Sequence, residues 1–121
     1  MLLDEHLSPG IAAGLQRIEP GIEVYAISQW KHGRFLGRAD QELLAEAAHG
    51  LTFVTYDCRS IPDLLRFWGE QGRSHSGVIF VDDKSIAPGD IGGLVRALGK
   101  LFSDLRHLDW ENREMFLPRY P

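Results

Sequence analysis

Apolar residues along the chain gather in short unbroken runs, and the stretches between them carry a helical rhythm. The runs cover 1–3, 22–27, 51–56 and 77–81, and β-branched and aromatic residues fill the last three, as strands favour. Between the first two, Ile11, Leu15 and Ile18 recur at i, i+4 and i+7, which is one stripe of a helix. Ser8-Pro9 opens it as N-cap and first helical residue, because proline has no N–H to leave unpaired and its φ already suits a helix. Asp40 is expected to cap a second helix over 41–49, closed by Gly50. Ser60-Ile-Pro-Asp63 resembles a capping box and begins a third helix bearing Leu64, Leu65, Phe67 and Trp68, ended by Gly72. Asp90 caps the longest, where Ile91, Leu94, Val95, Leu98, Leu101, Phe102 and Leu105 keep the rhythm.

Segment 28–38 has no clean period and reads as a loop, while the tail 108–121 reads as an edge strand or a loosely packed, peripheral end. Strands and helices thus alternate, and the strand runs are apolar without strict alternation. That pattern predicts an α/β fold: a three-layer α/β/α domain with a small parallel sheet of four to five strands, spanning 1–121 as a single unit.

Composition narrows the function classes. With 121 residues, 44% hydrophobic and 25% charged, the chain has the balance of a globular domain that buries a real core. A formal charge of -4 leaves any contact with nucleic acid to a local basic patch. Cys58 is the sole cysteine, which excludes an internal disulfide framework and fits a reducing cytoplasm. No apolar run nears the roughly 18 residues of a membrane span, so a cytoplasmic protein with no membrane association is expected.

The chemistry lies where the strand runs stop. Asp4 follows the first, Asp57 the third and Asp82 the fourth, and Asp40 starts the helix after the second. In a parallel sheet neighbouring strand ends stand about 5 Å apart, and ligands sit outside the carboxyl ends. Carboxylates that close repel one another, and a hard cation relieves them; all-oxygen ligation with open water positions suits Mg²⁺ or Mn²⁺. Asp4 has no capping duty, since Ser8 performs it, and a Ser60 cap would leave Asp57 free as well. Asp82 and Asp83 also suit a plain turn before Lys84. Lys31, Arg34 and Arg38, interleaved with Trp30 and Phe35, suit a single-stranded nucleic acid, whose phosphates pair with cations while its bases stack.

Three segments carry a resemblance: the opening Leu2-Leu3-Asp4-Glu5-His6-Leu7-Ser8-Pro9, the helix start Ala39-Asp40-Gln41-Glu42-Leu43-Leu44, and Val54-Thr55-Tyr56-Asp57. Together they resemble the PIN-like domain family, and more closely its short bacterial branch, over roughly residues 1–105. The resemblance implies a metal-dependent ribonuclease, often the toxin half of a toxin–antitoxin pair. It carries metal binding and catalysis over to Asp4, Asp40 and Asp57, with Glu42 and Asp82 as further metal-ligand candidates, and it implies RNA as substrate. An antitoxin or a second copy of the chain, as a homodimer, are the partners it adds, with the apolar stripe of the last helix as a surface for either. The sequence departs from the family at one place: Arg59 stands where many relatives carry a second aspartate. That arginine either neutralises the cluster or holds a phosphate, so the alternative reading is a PIN-like interaction module with impaired catalysis.

Overall fold

The structure, a computed structural model, describes residues 1–118. Its elements are β1 (Leu2–Leu3), α1 (Pro9–Ile18), β2 (Tyr25–Ala26), a 3-10 turn (Trp30–Gly33), α2 (Asp40–Ala47), β3 (Phe53–Thr55), α3 (Ser60–Glu70), β4 (Val78–Phe80), α4 (Ile91–Leu105) and β5 (Glu114–Phe116). The strands form one sheet in the order β2-β1-β3-β4-β5, and every neighbouring pair is parallel. With helices on both faces this is a three-layer α/β/α fold.

Strand periodicity explains the unbroken apolar runs. Leu2, Phe53, Val78 and Phe80 point to one face and meet Leu43 and Leu44 of α2 and Ile61, Leu65 and Trp68 of α3. Leu3, Val54 and Ile79 point to the other and meet Ile11 and Leu15 of α1 and Leu94, Leu98 and Leu101 of α4. Side chains alternate along each strand, yet both faces are covered, so both positions must be apolar.

Several boundaries differ from the sequence reading. The run 22–27 contributes only Tyr25–Ala26 as strand, because Ile22 N–H still turns back to the carbonyl of Glu19. Leu51 N–H likewise belongs to the end of α2, donating to the Ala47 carbonyl, so β3 begins later. The segment read as a loop contains the 3-10 turn, with Lys31 and His32 both at positive φ. The tail supplies β5 as an edge strand against β4, and Leu117 beyond it is buried; residues 119–121 lie outside the described residues.

The caps also sort themselves out. Ser8 accepts from Gly10 N–H and Asp90 from Gly93 N–H, as their positions predict. Asp40 does not cap α2: Ala39 holds the cap position and Asp40 is the first helical residue. Ser60 does not cap α3 either, because it is already helical, and Asp57 performs that role from the end of β3.

Candidate acidic metal site

The strand order reverses at β1. The chain leaves β1 for β2 on one side, then returns to place β3 on the other. In open parallel sheets the crevice beside such a reversal, outside the carboxyl ends, is where ligands bind. β1 runs directly into Asp4 and β3 ends at Thr55, so both strands bring these side chains to the same rim.

Asp4 is only 4% exposed. Its Oδ1 accepts the N–H of Glu5 at 2.8 Å and its Oδ2 accepts the Thr55 hydroxyl at 2.8 Å. A carboxylate can be buried this deeply because both oxygens are hydrogen-bonded. Thr55, fully buried, does a second thing: its Oγ1 accepts the backbone N–H of Asp57 at 3.0 Å. One hydroxyl therefore fixes Asp4 relative to the turn that carries Asp57.

Asp57 Oδ1 accepts N–H groups from Arg59 at 3.0 Å and Ser60 at 2.8 Å. Burial pushes its carboxyl upward, but those two N–H groups, the Ser60 hydroxyl and the Asp40 carboxyl outweigh it and hold Asp57 below the ordinary carboxylate range. Asp40 goes the other way. Burial raises it first, the carboxylates of Asp57 and Asp4 raise it further, and Glu5 adds to them. That net rise runs against the helix N-terminus on which Asp40 sits, which favours a negative charge. Asp40 and Asp57 lie within hydrogen-bonding reach of each other, and their carboxyls shift in opposite directions, Asp40 upward and Asp57 downward.

The crowding is the informative feature. Asp40 and Asp57 stand within reach of each other while Asp4 adds a third negative charge, and all the donor atoms are hard oxygens, the set that Mg²⁺ and Mn²⁺ take. By donor chemistry Asp4, Asp40 and Asp57 fit such a cation. As the side chains stand, no group of three His, Cys, Asp or Glu among the described residues converges closely enough to hold a metal ion. Asp4 is turned toward Thr55 and Glu5 N–H instead of toward the other two.

The remaining expected site residues are spread more widely. Glu42 is exposed and pairs with Arg38 at 3.7 Å, one turn away along α2. Asp82 caps its own turn, accepting Lys84 N–H at 3.0 Å and the Ser85 hydroxyl at 3.5 Å. Arg59 is exposed beside Asp57, and its guanidinium makes no ion pair among the described residues. Arg34 and Arg38 are exposed on the segment leading into α2, where the Arg38 Nε donates to the Arg34 carbonyl at 3.3 Å. Lys31 is elsewhere: it pairs with Glu46 and lines a groove with Glu23, His49 and Leu51, at the opposite end of the sheet.

Sequence reasoning did not assign roles to Thr55 or Glu5. The signal for Thr55 was present, since a lone hydroxyl closes an otherwise apolar strand directly before the acid. Fold and rim together define a doubly wound α/β domain with an acidic rim at its reversal point. No family model, no curated protein and no solved structure matches this chain. Among the described residues no helix is long and apolar enough to cross a membrane.

Proposed function

We propose that the chain is a PIN-like, Mg²⁺- or Mn²⁺-dependent endoribonuclease of the cytoplasm, acting at the crevice between β1 and β3. The observation that carries this reading is the Asp40–Asp57 pair, two carboxyls close enough to share a proton at the reversal point of the sheet, with Asp4 behind them. Asp40 and Asp57 would hold the cation directly, and Asp4 would complete the set on turning from Thr55. When bound, a divalent cation there lowers the pKa of water and neutralises phosphate charge. The protein's own groups do the rest. Thr55 and the N–H groups of Arg59 and Ser60 orient the carboxylates, and Arg59, Arg38 and Arg34 offer cations to the RNA backbone. A toxin role, with an antitoxin or a homodimer covering the α4 side, rests on the resemblance.

One observation favours the second reading, a PIN-like interaction module without catalysis. Arg59 brings an unpaired cation to the rim, and no three ligands converge there among the described residues. A melting curve with and without millimolar Mn²⁺, on wild type and Asp57→Asn, separates the two. The nuclease gains stability only as wild type and cleaves single-stranded RNA in Mn²⁺. The interaction module shows neither effect.

A further inference from the structure

At the other end of the sheet, between the end of α3 and the start of β5, lies a groove of about 360 Å³. It is lined by Arg73, Ser74, His75, Asn112 and Glu114, among others. The side chains that matter here have their polarity fixed by the backbone. His75 is 7% exposed, and its Nδ1 accepts the N–H of Gly77 at 3.1 Å. A neutral ring that accepts at Nδ1 must carry its proton on Nε2, so this histidine is a donor toward whatever meets Nε2. Burial keeps the ring neutral by holding it below its ordinary value, against the pull of Glu114. Asn112 Oδ1 accepts His75 N–H at 3.1 Å, which turns the two amide protons of Asn112 away from that bond. Arg73 lies over the ring of the buried Trp68, its Cζ 3.8 Å from the centroid, so its guanidinium is placed before any ligand arrives.

Two opposite charges line this one groove without meeting. Arg73 and Glu114 form no ion pair, and neither has another charged partner in salt-bridge contact among the described residues. Donor groups of Arg73, His75 and Asn112 and the carboxylate of Glu114 line this one groove, a set that matches a ligand carrying both signs. We infer that the groove between α3 and β5 binds a small zwitterion, an α-amino acid or dipeptide. Its carboxylate would lie on Arg73, His75 and Asn112, and its ammonium on Glu114. The groove is separate from the acidic rim, so this inference stands or falls independently of the nuclease reading.

The test is an amide ¹H–¹⁵N titration of the full chain with glycine, leucine and diglycine, and with acetate and ethylamine as single-charge controls. The inference requires saturable shifts confined to 72–77 and 112–114 with at least one zwitterion. It also requires at least tenfold weaker binding of both controls, and at least tenfold weaker binding of that zwitterion by Glu114→Gln and by Arg73→Gln. Glu114 is exposed, so its variant keeps the fold even where loss of the Trp68 stack weakens Arg73→Gln. Absence of shifts with all three zwitterions, shifts centred elsewhere, or acetate binding as tightly as glycine would each overturn it.

Discussion

Asp40 is the residue at which charge and fold work against each other. Its carboxyl is raised by burial and by the carboxylates of Asp57 and Asp4, so its favourable contribution is complete below the unfolded value of about 3.9. That contribution is lost as pH rises through the folded value, and at neutral pH the ionised side chain opposes folding. Asp40→Asn in a chelating buffer at pH 7 is therefore expected to melt about 1–3 °C higher than wild type, with the gain fading as pH falls toward about 4. A variant that melts lower at pH 7 would show that the cluster is not strained. Thr55 gives the complementary prediction. Thr55→Val keeps shape but strands a buried Asp4 oxygen and the Asp57 N–H, so a loss of about 1.5–3 kcal/mol is expected by denaturant unfolding. Thr55→Ser retains the hydroxyl and should lose about 1 kcal/mol, one buried methyl's worth. Asp4 and Asp57 were visible in the sequence as acids after apolar runs, and Asp40 as the acid at a helix start. What sequence could not supply was which of two neighbouring polar residues caps α3. Asp57 and Ser60 both suit that duty, and only the turn at the end of β3 decides between them.

At the scale of elements, helices were legible through their stripes and β1 to β4 through their runs, because covering both sheet faces forces apolar residues at nearly every position of those strands. Lengths were less legible. A residue such as Leu51 has strand propensity, but its N–H is already committed to the end of α2, a tertiary choice that propensity does not encode. The contact between α1 and α4 depends on residues without side chains, another feature periodicity does not reveal. A Cβ on Gly14 would stand 2.7 Å from Val95 Cγ2, and one on Gly99 would stand 2.7 Å from Ile18 Cδ1. The distances match and the consequences do not. Val95 is β-branched and stiff at χ1, whereas Ile18 is half exposed and can swing its terminal methyl aside. Both substitutions gain about 1 kcal/mol of helix propensity. Gly14→Ala is expected to be destabilising by about 1–2 kcal/mol net, because overpacking outweighs that gain. Gly99→Ala should be neutral or stabilising by up to about 1 kcal/mol. Chemical denaturation of the two variants, with equal m-values, checks the contrast; equal losses would mean that the helices part as rigid bodies.

For the whole molecule the proposed activity raises the question of how a chain of net charge -4 would meet a polyanion. The general field repels RNA, so on the proposed nuclease reading association would rest on a few local cations. The sequence groups Lys31 with Arg34 and Arg38 as one basic loop, but the fold divides them. The 3-10 turn carries Lys31 to the opposite end of the sheet, where Glu46 neutralises it and Trp30 and Phe35 lie under its ammonium. Arg34 and Arg38, on the segment leading into α2, and Arg59, two residues after Asp57, are left as the candidate RNA cations. Each phosphate contact on a single strand contributes about 0.7 to the slope of log K against log salt, so an RNA held by three arginines should show a slope near about −2. Arg59→Gln should flatten it by about 0.7 and weaken binding by a similar factor for every sequence, since phosphate contacts carry no base information. Lys31→Gln should leave both slope and affinity unchanged. Fluorescence anisotropy of a short labelled RNA, from about 50 to 200 mM salt, measures all three quantities. A Lys31 variant that lowers the slope as much as the Arg59 variant would move the RNA path off the acidic rim, and the nuclease reading would lose its substrate geometry.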